Sequence, residues 1–109
     1  MAKKKDKLQG ALELLVMRVL RRGSNHGFAI AAAIQQCSDD VLRVEAGSLY
    51  PALHRMTDSG LLKADWKTSE AGRRARYYRL TSKGRRKLEE DERQWLEVSA
   101  AVTRVLKSV

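Results

Sequence analysis

Three amphipathic helical stretches, two alternating strands joined by an arginine-rich turn, and one long heptad helix follow one another along the chain. That order predicts a mainly α, α+β fold: a winged helix-turn-helix with a two-stranded wing and a long C-terminal helix. Length agrees, since 109 residues, 43% of them apolar, suffice for one core and not for two. Three parts are expected: a basic N-terminal arm over 1–7, a winged domain over 8–81, and a C-terminal dimerisation helix over 82–109.

The first helix is predicted over Leu8–Arg22. Leu8, Leu12, Leu15, Val16, Val19 and Leu20 recur at steps of three and four, and Gly23 ends the helix. Ser24–Gly27 offers capping groups for a second, alanine-rich helix over Gly27–Cys37, with Phe28, Ala31 and Ile34 on one side and Ile30 on its flank. Val41–Val44 is too brief for a helix and reads as extended. Ser48 is the expected N-cap of a third helix over Leu49–Ser59, stopped by Gly60. Pro51 falls in its first turn, where amides have no intrahelical partner. Leu49, Leu53 and Met56 then face inward, leaving Tyr50, His54, Arg55 and Asp58 outside. Leu61–Lys67 and Arg76–Thr81 alternate as two strands of a hairpin, with Leu62, Ala64 and Trp66 on the inward face. Thr81 or Ser82 caps the last helix, whose seam runs through Leu88, Trp95, Val98, Val102, Val105 and Val109.

Charge is unevenly spread. Residues 1–22 hold seven basic and two acidic side chains, and residues 68–87 hold eight basic ones against Glu70 alone, whereas 23–67 and 88–109 are slightly acidic. Dense, unneutralised cations repel one another, so they imply a polyanionic partner; double-stranded DNA fits, since phosphate contacts with Lys and Arg release counterions. An anionic membrane is a weaker candidate, because neither cluster lies on an amphipathic helix with bulky apolar anchors. The longest apolar run, Phe28–Ile34, is far short of the roughly 20 residues that span a bilayer. With no apolar leader after the basic start, the expectation is a cytoplasmic protein with no membrane partner.

Catalysis finds little support. Cys37, His26 and His54 make no triad or metal cluster, and the single cysteine excludes a disulfide framework, so neither cofactor nor metal is expected. The carboxylates Glu89–Glu92 read as a solvated helix face.

Several stretches match a known pattern. Glu45-Ala46-Gly47-Ser48-Leu49-Tyr50-Pro51-Ala52-Leu53-His54-Arg55-Met56 resembles the signature around the recognition helix of the PadR family of bacterial transcriptional regulators. Leu12–Val16, His26–Ile30, Gly60–Leu62, Arg73–Thr81 and Gly84 are similar to other parts of that family's pattern. The resemblance runs from about Leu8 to Trp95. It implies a homodimeric DNA-binding regulator, usually a repressor, that reads an inverted repeat. It also implies dimerisation through the C-terminal helix, helped by the first helix, which would enlist Leu8, Leu12 and Leu15. A single C-terminal helix is similar to the family's shorter branch. Some members bind planar aromatic compounds at the dimer interface, which would make Trp95 a stacking surface for a small aromatic effector; its other reading is a bulky knob in the seam.

The resulting DNA-binding candidates are Ser48, Leu49, Tyr50, His54 and Arg55 on the third helix, and Lys67, Arg73, Arg74 and Arg76 on the wing. Tyr50 either offers its hydroxyl to phosphate or base, or braces the hairpin. Lys3, Lys4, Lys5 and Lys7 form either a mobile arm on DNA or a solubilising tail. The rival to a specific regulator is a winged-helix protein-interaction module or a non-specific nucleic-acid-binding protein.

Overall fold

A computed structural model describes residues 10–109. The chain runs α1 (Leu12–Leu20), β1 (Asn25–His26), α2 (Gly27–Cys37), α3 (Ala46–Asp58), β2 (Leu62–Thr68), β3 (Arg74–Leu80) and α4 (Ser82–Ser108). The strands form one antiparallel sheet in the order β1-β3-β2. The wing is therefore three-stranded at its base, against the two strands expected. Asn25 and His26 pair with Tyr78 and Tyr77, a pairing too short to show as an alternating pattern. Helices and sheet enclose one core, centred on Met17, Ile30, Leu49, Leu53, Met56 and Leu88.

Local chemistry sets most boundaries. Gly10, at φ +84°, turns the chain just before α1, which begins four residues after the expected Leu8; Leu8 itself lies outside the described residues, as do the arm lysines. The helix α2 is capped by His26, whose Nδ1 accepts the Ala29 N–H at 3.2 Å. Its inward residues are Ile30 and Ile34, with Ala31 half-buried; Phe28, grouped by spacing with Ala31 and Ile34, is exposed, and Ile30, expected on the flank, is buried. Val41–Val44 joins no strand. Asp39 and Asp40 take left-handed backbone conformations, Ser38 Oγ accepts the Leu42 N–H at 3.0 Å, and Leu42 and Val44 settle against the core.

The expected cap at Ser48 is also corrected. Glu45 holds the capping position in an extended conformation, and its carbonyl accepts the N–H groups of Ser48 and Leu49 at 3.0 and 2.9 Å. Ser48 thus stands in the first turn of α3 with its side chain exposed. At the other end Gly60, at φ +82°, reverses the chain, and Lys83 Nζ donates to the Ser59 carbonyl at 2.6 Å.

One junction holds α4 to the domain. Thr81 Oγ1 accepts the Gly84 N–H at 3.0 Å and donates to the Gly60 carbonyl at 2.6 Å. Gly84 packs so closely on the Leu61 carbonyl that a Cβ there would collide with it. Leu88, expected in the dimer seam, instead fills the core of its own subunit beside α1 and the sheet. The Arg18–Glu92 pair at 3.6 Å ties α1 to the next turn of α4. Past that point α4 leaves the core. At 1.5 Å per residue its 27 residues span about 40 Å, which accounts for the longest molecular dimension of 55 Å. Among the described residues no helix is long and apolar enough to cross a membrane.

Candidate nucleic-acid interface

The outward side of α3 carries Ser48, Tyr50, His54 and Arg55, all exposed. Leu49 does not belong with them: it is 2% exposed and part of the core, as the i, i+4, i+7 spacing with Leu53 and Met56 requires, so its side chain is unavailable to a duplex. His54 pairs with Asp58 at 3.3 Å, one turn on. Arg55 reaches back to Glu13 of α1 at 3.4 Å, so its charge is partly satisfied within the subunit.

Tyr50 is half exposed, at 49%, and its ring lies across the first residue of α2. A Cβ on Gly27 would stand 2.7 Å from Tyr50 Cε1, so any larger residue there would displace the ring. The ring is thus braced against α2, where the expected brace was on the hairpin, and the residue stays half exposed.

The hairpin divides by face. Alternation from the buried pair Leu62 and Leu80 places Ala64, Trp66, Tyr78, Arg76 and Arg74 on the core-side face of the hairpin. Tyr78 is buried, and its phenol is pushed above its ordinary value of 10.0, chiefly by that burial; the Arg76 charge opposes the shift and Tyr50 adds to it. Tyr50, Tyr78, Arg76, Trp66 and Arg74 therefore form a strip from the start of α3 out along the wing. Lys67 is on the opposite face, 5.4 Å from the centre of the Tyr77 ring, with the Arg79–Asp65 pair at 3.9 Å nearby. Arg73 sits in the turn, where its carbonyl accepts the Ser69 N–H at 2.8 Å and its own N–H donates to Ser69 Oγ at 3.3 Å.

Trp66 corrects the expectation of a core tryptophan. It is 58% exposed, because β2 outgrows the core after Ala64. The guanidinium carbons of Arg74 and Arg76 lie 5.3 and 5.9 Å from its ring centre. Alternation alone predicts the face correctly but not where the core stops along it. The signal that could have found Trp66 is its register opposite Arg76.

The apolar residues on distal α4 are exposed in the single subunit: Trp95, Val98, Val102, Val105 and Val109, with Leu96 and Leu106 beside them. Leu12 and Leu15 of α1 are half-buried against the core. A groove of about 230 Å³ between α1 and α2, lined by Leu15, Val19, Ile34, Cys37 and two arginines among others, does not include Trp95. Among the described residues no cluster of His, Cys, Asp and Glu could hold a metal ion.

A helix presented beside a cationic hairpin defines a class, the winged-helix nucleic-acid binders. The chain belongs to the transcriptional regulator PadR-like family, whose profile matches residues 16–90. It is thus a DNA-binding regulator. It is 35% identical over 86 residues to the transcriptional regulator Rv3488 of Mycobacterium tuberculosis, covering 79% of each chain. Among solved structures it is similar to a PadR-like regulator from Bacillus cereus, with TM-score 0.81, 29% identity, and 94% and 97% of the two chains covered. A PadR family regulator from Eggerthella lenta gives TM-score 0.76 at 32% identity, with 93% and 86% covered.

Proposed function

We propose that the protein is a homodimeric, cytoplasmic repressor that binds an inverted-repeat operator. The observation that carries this reading is the pairing of two surfaces on one subunit: the exposed side chains of α3 and of the wing arginines, and an unpartnered apolar stripe on α4. The first suits a duplex. A helix fits the major groove, and Ser48, Tyr50, His54 and Arg55 are the side chains that α3 offers to it. Arg73, Arg74 and Arg76 then meet the flanking backbone or minor groove, fixing orientation more than sequence. Lys67, on the wing's other face, reaches a phosphate only if the duplex passes around the tip.

The second surface suits a copy of the chain. Trp95, Val98, Val102, Val105 and Val109 recur along α4 where it has no core left to meet, and apolar stripes of this extent mark interaction sites. Joining two subunits there, with Leu12 and Leu15 of α1 at the margin, covers the stripe. Two-fold symmetry then sets the paired α3 helices about one DNA turn apart, roughly 34 Å. Any aromatic effector stacked on Trp95 draws its second wall from that partner, since the Trp95 ring is half exposed on a convex helix.

The test is a gel shift with DNA upstream of the protein's own gene and its neighbours, alongside light scattering for mass. A specific regulator prefers one fragment by at least roughly a thousandfold. Equal affinity for every fragment points instead to a non-specific nucleic-acid binder, and no affinity for any to a protein-interaction module.

A further inference from the structure

We infer that Trp66 is the positioning residue of the wing: its indole holds the Arg74 and Arg76 guanidinium groups side by side, charged and unneutralised, for the phosphate backbone of a duplex. The aromatic contact that the two arginines share carries the inference. Arg18, Arg55, Arg79 and Lys87 each stand against a carboxylate, of Glu92, Glu13, Asp65 and Asp91. Arg74 and Arg76 have no carboxylate partner among the described residues, a lack they share with Arg73, Arg85 and Arg86, but they alone of these lie over one aromatic ring, that of Trp66.

Two arginines at i and i+2 on one strand share a face, about 7 Å apart along the chain, where their charges repel. A carboxylate between them would hold them but cancel the charge that a phosphate needs. An aromatic face attracts a guanidinium through its quadrupole, orders the long side chain, and leaves the N–H edge free to donate. Register makes the placement: Trp66 pairs with Arg76, and Arg74 stands two residues along the same strand face, opposite Thr68. More than half of the Trp66 surface is exposed beyond the core, so its replacement empties no buried site.

The inference rests on the duplex-binding reading above, and the experiment separates the two. Full-length Trp66→Leu, Trp66→Phe and the Arg74→Ala/Arg76→Ala pair are titrated with a mixed-sequence duplex across a range of NaCl concentrations. Tryptophan emission and the thermal unfolding midpoint are followed in parallel. Trp66→Leu is expected to bind about fivefold more weakly, as the loss of an exposed cation–π pair predicts. It also lowers the salt slope by about one, equivalent to one phosphate contact. Trp66→Phe restores part of both effects. The unfolding midpoint is unmoved in both variants, and the duplex changes the emission of wild type but not of Trp66→Phe. Combined with Arg74→Ala/Arg76→Ala, Trp66→Leu adds nothing further. The proposal is overturned if the arginine pair weakens binding while Trp66→Leu keeps the wild-type affinity and slope, or if Trp66→Leu weakens binding equally with and without the two arginines. A wild type that binds no duplex at all overturns the duplex-binding reading, and this one with it.

Discussion

Distal α4 and the distal hairpin both leave the core, and they do so with opposite chemistry. Each is anchored at its base by buried residues, Gly84 and Leu88 for the helix, Leu62, Tyr78 and Leu80 for the hairpin. Beyond the anchor, α4 exposes Trp95, Val98, Val102 and Val105, whereas the hairpin exposes Arg73 in its turn and Arg74 and Arg76 over Trp66. An unpartnered apolar surface gains by leaving water, and an unpartnered cationic one gains by releasing counterions from a polyanion. The two extensions therefore call for different partners, a second copy of the chain for one and a polyanion for the other.

The sharpest break is at the helix. Val98→Glu/Val102→Glu puts charge into the stripe and is expected to yield a folded single subunit by light scattering. Because each half-site then binds alone, affinity for an inverted repeat drops on the order of a hundredfold or more in a gel shift. If the doubly charged variant keeps both its mass and its affinity, α4 is not the joining surface.

Next come the anchors, where the effect is on stability. Leu88→Ala is expected to lose about 2–5 kcal/mol in urea unfolding, since it empties a fully buried site in the subunit's own core. Gly84→Ala is expected to lose about 1–3 kcal/mol, because the new methyl group meets the Leu61 carbonyl. Were Leu88 a seam residue instead, its replacement would change the assembly's mass more than its unfolding midpoint.

At the wing, Arg73→Ala/Arg74→Ala should weaken binding on every duplex sequence and reduce the salt slope by about 0.9 for each phosphate left unneutralised. Tyr50→Phe removes a hydroxyl and keeps the ring over Gly27, so it should lower affinity for the specific fragment more than for mixed-sequence DNA. A uniform loss in both would make Tyr50 a brace alone.

The smallest effect is expected at Tyr78. Burial raises its phenol pKa, so the folded state favours the neutral form; that stability is fully present below the ordinary value of 10.0 and is lost as pH rises through the raised one. Tyr78→Phe should therefore flatten the alkaline fall in unfolding free energy. An unchanged profile would mean that other groups, the many arginines and lysines included, set the alkaline limit.

Helix order, the hairpin and the cationic wing were legible in the residue pattern, because periods of 3.6 and 2 are local properties and charge is additive along the chain. So was the inward set Leu49, Leu53 and Met56, and that spacing alone already conflicts with Leu49 as a DNA-facing side chain. The reach of the core was not legible. Periodicity says which side of a strand or helix faces inward, but not where along that side other elements stop covering it. Trp66 therefore stands in solvent although it shares a face with Leu62, and Leu88 is enclosed although it shares a heptad with Val102. The pairing of Asn25 and His26 with β3, the stacking of Tyr50 over Gly27 and that of two arginines on one indole likewise depend on segments distant in sequence coming together. Pattern along the chain decides direction; only the folded packing of one element against another decides depth.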